Sequence, residues 1–511
     1  MSAKVFSCGL LGIDGYLVAV EADVSAGLPS VDIVGLPDAA VKESRERVKI
    51  AVRNAGLPFP QKRVVLNLAP ADTKKEGAYY DLPITVAILL ASGQFQFPDI
   101  ADYLILGELA LDGSLRSVRG ALPMVLEAAK HGIKRAIVPH MNAHEAAVVD
   151  GVEVYGAKTL LEVINHLSGA ECLKPEQVDI NGIFGAERDY GVDFADVRGQ
   201  ESAKRALTIA AAGAHNCLMI GAPGSGKTML AKRLPTILPD LTFAEALEVT
   251  KIYSIAGMLP PETALITNRP FRSPHHTISA PSLTSGGAMP RPGEMCLAHN
   301  GVLFLDEFPE FRKDALESMR QPLEDGKFTV SRVQASVTFP SACMLIASMN
   351  PCKCGYYGDT TRECTCSPLQ IQKYLGKISG PMLDRFDLHI EVPTVKYEEL
   401  SAGRTGETSA QIKARVDRAR RIQSERYADE GIFANAQLDA AGIEKYCVID
   451  DECKALLAEV YTRLGLSARA HSRILKVART IADLEGSPDI QVPHMAEAIA
   501  YRTLDKKFWF H

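Results

Sequence analysis

A chain of 511 residues exceeds what one hydrophobic core organises, so several domains are expected. Its hydrophobic content of 47% and charged content of 23% are those of a globular protein, and the apolar run at residues 84–91 falls short of the roughly 20 residues of a membrane span. A formal net charge of -6 excludes a uniformly basic nucleic-acid binder, though not a basic pore inside an acidic exterior. No basic segment followed by an apolar stretch opens the chain, because Asp14 and Glu21 interrupt it, and a cytoplasmic location without membrane contact is expected. In that compartment cysteines stay reduced or bind metal.

Residues 1–167 alternate strand-like and helix-like patterns. Strands are predicted at 16–24, 31–34, 63–68, 104–110 and 136–138, with helices at 38–54, 82–92 and 123–131. No nucleotide fingerprint lies in this α/β region. The phrases Lys75-Glu76-Gly77, Gly107-Glu108-Leu109-Ala110-Leu111-Asp112-Gly113, and Ala128-Ala129-Lys130-His131-Gly132 leading to Val138-Pro139 resemble the proteolytic domain of Lon, an α+β domain of ribosomal S5-like fold, and the similar C-terminal domain of the recombination protein RadA. That resemblance implies a Ser nucleophile activated by a Lys amine. Lined up on those phrases, the nucleophile position falls at Tyr79 and the lysine position near Val125, and neither side chain has that chemistry. Ser92 and Lys130 offer an unrelated pair, read as ordinary surface residues. The expectation is a protease-like fold without the dyad, used for structure, assembly or DNA contact.

Residues 168–192 read as a linker, punctuated by Gly169, Pro175, Gly182, Gly185 and Gly191. An ATPase core is expected over 193–395 and a helical domain over 396–511. The apolar residues 217–220 predict a buried strand. The loop after it, Gly221-Ala222-Pro223-Gly224-Ser225-Gly226-Lys227-Thr228, fits G-x-x-x-x-G-K-[ST] at every fixed position and opens a helix. Glycines let backbone N–H groups converge on phosphates, Lys227 reaches the β- and γ-phosphates, and the Thr228 hydroxyl suits Mg2+. These residues predict ATP binding. Downstream, Gly301-Val302-Leu303-Phe304-Leu305 ends abruptly in Asp306 and Glu307, the former placed to hold Mg2+ and the latter to polarise the attacking water. A further apolar strand at 344–348 ends at Asn350, whose amide suits both the γ-phosphate and that water. Arg385, in Ser379-Gly380-Pro381-Met382-Leu383-Asp384-Arg385-Phe386-Asp387, is read as a finger acting on a neighbouring subunit's γ-phosphate, which demands an oligomer. The basic helix at 409–426 faces either DNA or solvent.

These motifs place residues 193–505 in resemblance to the AAA+ ATPases. Three phrases narrow it: Arg269-Pro270-Phe271-Arg272-Ser273-Pro274-His275-His276-Thr277, Pro292-Gly293-Glu294 leading to Leu297-Ala298-His299-Asn300, and the segment around Arg385. They look like the branch holding Mg-chelatase ATPase subunits and the MCM replicative helicases. With the Lon-like front domain, the whole chain resembles the Mg-chelatase-like AAA+ family of the competence-protein type. That resemblance implies a hexameric ring translocating on single-stranded and branched DNA and driving branch migration during natural transformation. It also implies a sensor 2 contact from Arg469, with Arg473 as the other candidate, and a pre-sensor hairpin at 324–339 with Arg332 directed to DNA phosphate. The alternative is an ATPase that remodels a protein complex, as Mg-chelatase subunits do.

Cys352-x-Cys354 and Cys364-x-Cys366 lie within one loop directly after Asn350. Four thiolates there suit a structural Zn2+; the other reading is four reduced thiols. His275 and His276 are expected to make structural hydrogen bonds.

Overall fold

Alternation of apolar and polar residues along the second strand helps set one sheet, and continuous apolar runs later in the chain set another. The computed structural model describes residues 2–186, 188, 190–286, 291–331, 336–359, 362–395, 406–464, 467–504 and 508–509. The chain divides into two units. One comprises Met1–Ala186, Thr242–Thr267 and Ser331–Thr338, and the other Glu187–Leu241, Asn268–Val330 and Phe339–His511.

The first unit holds a seven-stranded mixed sheet. Its strands are β1 (Ser2–Leu11), β2 (Asp14–Ser25), β3 (Ser30–Val34), β4 (Arg63–Ala69), β5 (Tyr103–Ile105), β6 (Arg135–Pro139) and β7 (Glu153–Ala157), in spatial order β3-β4-β2-β1-β5-β6-β7. β1, β2 and β4 pair antiparallel, whereas β5, β6 and β7 run parallel to β1 and to one another. Helices α1 (Ala39–Asn54) and α2 (Asp81–Ala91) join Val5, Val20 and Leu66 in one apolar cluster. α3 (Ala121–Lys130) joins Cys8 and Leu104 in another. Asp38 starts α1 where the sequence predicts, accepting a 2.7 Å hydrogen bond from the Val41 N–H.

Three features depart from the sequence reading. The segment 104–110 is two pieces, β5 and a Glu108–Leu109 bridge to Leu115–Arg116, because Gly107 spends its backbone groups on Tyr79 and Leu82. β1 and β7 carry no clear period-2 signal, and yet β1 is central. Inside the segment read as a linker, Ile180–Gly185 forms a short helix, with Ile183 and Phe184 packed on Ala264 and Leu265.

Val125 is fully buried, and Tyr79 packs against the same cluster, where desolvation raises its phenol pKa. The Ser92 hydroxyl donates to the Leu89 carbonyl and Lys130 pairs with Glu127 at 2.9 Å, so each is engaged elsewhere.

The second unit is built on a five-stranded, wholly parallel sheet. Its strands are β8 (Cys217–Ile220), β9 (Phe271–Arg272), β10 (Val302–Leu305), β11 (Met344–Met349) and β12 (Leu388–Glu391), ordered β9-β10-β11-β8-β12. Both faces are covered, which is why β8 and β10 read as unbroken apolar runs. Cys217, Met219 and Phe304 pack against α4 (Glu201–Gly213), α7 (Ser409–Arg426), α8 (Ala468–Glu485) and α9 (Val492–Ala500). Leu218, Leu303 and Leu345 line the opposite core. On α7, Lys413 pairs with Asp417, Arg415 with Glu407 and Arg426 with Asp483, while Arg420 donates to the Ala211 and Phe433 carbonyls. Arg420 and Arg426 thereby tie α7 to α4 and α8. Within this unit Phe328 stacks on Phe339 at 5.5 Å. Among the described residues, no helix is long and apolar enough to cross a membrane.

Candidate nucleotide-binding site

In an open parallel sheet, ligands bind outside the carboxyl ends of the strands. The tips of β10, β11 and β8 are neighbours here, and they carry Asp306 and Glu307, Asn350, and the Gly221–Thr228 loop. They bound a cavity of about 430 Å³ lined by Gly226, Lys227, Thr228, Asp306, Glu307 and Asn350, among others. The loop leads straight into α5 (Lys227–Arg233), and Gly224 and Gly226 take φ of +77° and +91°, the left-handed region that favours glycine. Gly221 is constrained by space: an added Cβ would sit 2.3 Å from the Val392 carbonyl oxygen and 2.9 Å from Ser225 Oγ.

The Lys227 ammonium folds back onto the loop. It donates to the carbonyls of Gly221 at 2.8 Å and Ala222 at 2.9 Å, and to Asn350 Oδ1 at 3.2 Å. Burial pushes its pKa down to about 8, against a weaker upward pull from Asp306. The Thr228 hydroxyl donates to Asp306 Oδ2 at 2.7 Å, and Ser348 donates to the other carboxylate oxygen. The register explains this: Leu305 pairs with Ala347, which sets Asp306 beside Ser348. A hydroxyl and a carboxylate oxygen, side by side at a phosphate-binding loop, fit the hard-oxygen preference of Mg2+. Glu307 adopts φ +53° and leaves its carboxylate 3.3 Å from His276 Nδ1. Gln200 reaches the loop from the start of α4, donating to the Ser225 carbonyl at 3.2 Å.

Arg385 is not at this cavity. Its carbonyl accepts a 3.0 Å hydrogen bond from Asn216 Nδ2, and Asn216 immediately precedes β8. The loop lies at the other end of that strand, and four strand residues span about 13 Å. The guanidinium is 9% exposed and donates to Glu324 at 2.6 Å. Arg469 also sits on the Asp384 side, 3.9 Å from that carboxylate and 58% exposed. Arg473 is locked against Asp387 at 3.3 Å and the Phe386 carbonyl. Lys227 is the one cation lining the cavity among the described residues. Arg332 lies outside the described residues.

Residues 193–400 match the family described as magnesium chelatase, subunit ChlI; residues 20–142 match subunit ChlI of Mg-chelatase, and 406–502 the ChlI C-terminal family. Competence protein ComM of Haemophilus influenzae is 44% identical over 98% of this chain and 97% of its own length. The uncharacterized protein YifB of Escherichia coli is 44% identical over 97% and 96%. The chain belongs to the ComM-type Mg-chelatase-like family. The chloroplastic magnesium-chelatase subunit ChlI of Oryza sativa subsp. indica is 24% identical over 60% of this chain and 73% of its own length. Membership of this ComM-type AAA+ family implies an ATPase that uses ATP and Mg2+, as the Lys227, Thr228 and Asp306 arrangement also does.

In this ComM-type chain the loop after Asn350 gathers four thiols. Cys352 Sγ lies 3.3 Å from Cys354 Sγ and 3.6 Å from Cys364 Sγ, Cys354 and Cys364 are 3.5 Å apart, and all four sulfurs fall within 4.8 Å of one another. Sequence reading singled out the four cysteines, the Gly221–Thr228 loop and the phrase ending in Gln200. It did not single out Ser348, Asn216 or the His276–Glu307 contact. Ser348 sits in an apolar strand, Asn216 beside a strand start, and His276 in a motif read as structural. The one available signal was a polar residue interrupting an apolar strand.

Proposed function

We propose that this protein is an ATP-driven DNA motor, working as a hexameric ring that migrates branches and promotes integration of incoming DNA by homologous recombination, as in natural transformation. The observation that carries the reading is Arg385, tied to the end of β8 remote from its own cavity, while that cavity is lined by no arginine among the described residues. A guanidinium so placed serves a neighbouring subunit's nucleotide, and Arg469 on the same side supports a sensor role beside it. Lys227 binds the β- and γ-phosphates after leaving its backbone carbonyls, and Thr228 and Asp306 hold Mg2+, which supplies charge neutralisation. Glu307 orients and polarises water with His276 behind it, and Asn350 bonds the γ-phosphate.

The DNA assignment is supported by nearly full-length likeness to a protein named for competence. Arg332 at the hairpin is proposed as a phosphate contact, sequence-independent and weakened by salt. The four cysteines are proposed as Zn2+ ligands, and the front unit as a structural or DNA-contacting module without protease chemistry. The competing reading, remodelling of a protein complex, draws on the chelatase names of the matched families. Strand exchange on a synthetic branched DNA separates the two. Wild type should exchange strands with ATP, and Lys227→Ala and Arg385→Ala should not. Mixing either variant with wild type should poison the ring. ATP turnover indifferent to single-stranded and branched DNA, with no exchange, refutes the motor.

A further inference from the structure

The four thiols have the geometry of a filled site. A tetrahedral Zn2+ with bonds of about 2.3 Å has sulfur–sulfur edges of about 3.8 Å, close to the three separations here and far beyond a disulfide's roughly 2.05 Å. Cys352 is buried and the other three are half-buried, so the cluster is not a solvent-exposed tuft.

The loop's surroundings are more informative than its ligands. Cys352 follows Asn350, at the tip of β11, by two residues. Cys366 directly precedes Ser367, whose hydroxyl caps α6 (Pro368–Leu375). From α6 the Tyr374 ring returns to the apolar cluster that holds Met349, the residue before Asn350. The chain thus leaves the β11 tip, passes the four thiols and comes back to that tip. Between them, Gly355 turns at φ +89°, its N–H donating to the Cys352 carbonyl at 3.0 Å. It presses so closely on the phosphate loop that an added Cβ would lie 2.4 Å and 2.6 Å from the Pro223 ring. The thiol loop therefore abuts the cavity's phosphate loop and the Asn350 strand tip together.

We propose that Cys352, Cys354, Cys364 and Cys366 hold one Zn2+ that braces the nucleotide cavity through Pro223 and Asn350, so that metal and nucleotide each tighten the other's binding. This rests on the reading of the cavity as an ATP site. Coupling between sites is reciprocal, and typical values of about 5–150-fold set the scale.

The test uses the full chain, elemental analysis, a fluorescent ATP analogue and a chromogenic zinc chelator. One zinc per chain is expected, lost in Cys354→Ser and Cys364→Ser. Zinc-stripped wild type that keeps its far-ultraviolet dichroism should bind the analogue at least about fivefold more weakly, and bound nucleotide should slow zinc transfer to the chelator correspondingly. Gly355→Ala should keep zinc and still lose nucleotide affinity. Should the cysteine variants not fold, stripping and Gly355→Ala decide. Absence of metal, iron in place of zinc, or stripped folded protein and Gly355→Ala both binding nucleotide within about twofold of wild type overturns the proposal. Lys227→Ala should keep zinc while losing nucleotide. Zinc-loaded wild type that binds no nucleotide sinks the ATP reading instead.

Discussion

Titration of Lys227 gives a sharp handle on the cavity. With the ammonium folded onto the Gly221 and Ala222 carbonyls, burial lowers its pKa from 10.5 to about 8. That difference corresponds to about 3 kcal/mol spent holding a charged lysine in the nucleotide-free protein at neutral pH. The sign follows from linkage. Between pH 8 and 10.5 the unfolded chain binds more protons at this site, so the Lys227 contribution to stability improves as pH rises through that window. Nucleotide binding runs the other way, because phosphates require the ammonium and restore its charge. Affinity should be flat below pH 8 and drop about tenfold by pH 9, with proton uptake on binding. Fluorescent-nucleotide titrations from pH 7 to 9.5, with calorimetry in buffers of different ionisation enthalpy, measure both. Lys227→Arg, charged throughout, should show no such fall, whatever its absolute affinity. Wild-type affinity constant to pH 9.5, or no proton uptake at pH 8.5, would refute the reasoning.

Glu307→Gln should bind ATP normally and lose about 10²- to 10⁴-fold in turnover, read by phosphate release in single-turnover mixing. Gly221→Ala must displace the loop from the Val392 carbonyl, and nucleotide affinity should fall at least tenfold while melting shifts by roughly 1–3 kcal/mol of stability. His215 is fully buried between Asp387 and Thr480, so His215→Ala should cost about 2–4 kcal/mol, measured by urea unfolding. Burial opposes ionisation of Asp387, but His215, Arg473 and Lys476 hold its carboxyl at about 2. Its contribution, about 2 kcal/mol, is present above pH 4 and disappears as pH falls through 2; Asp387→Asn should flatten that part of the acid-unfolding curve.

What could be read from the sequence follows from where the physics is local. Phosphate binding fixes residue types within one turn, so the Gly221–Thr228 loop declares itself. Four buried apolar residues followed by Asp306 declare a strand tip. Contacts set by strand order do not. Ser348 meets Asp306 only because β10 and β11 are adjacent and Leu305 pairs with Ala347, and Asn216 reaches Arg385 only because β8 and β12 are adjacent. β1 was illegible for another reason: Ser7 and Gly9 interrupt its alternation, although Val5 and Cys8 are fully buried. The cysteine cluster was legible as spacing. Its seat against Pro223 was not, since a single glycine is all that records it.

β8 deserves a mechanical view. Its four residues are buried on both faces, one end continuing into the loop that grips phosphate and the other bonded through Asn216 to the backbone of Arg385. Such a short, tightly packed rod has little slack. In the proposed ring, recoil of one pocket would tug the guanidinium offered to the next, and firing would travel from neighbour to neighbour as along a row of dominoes.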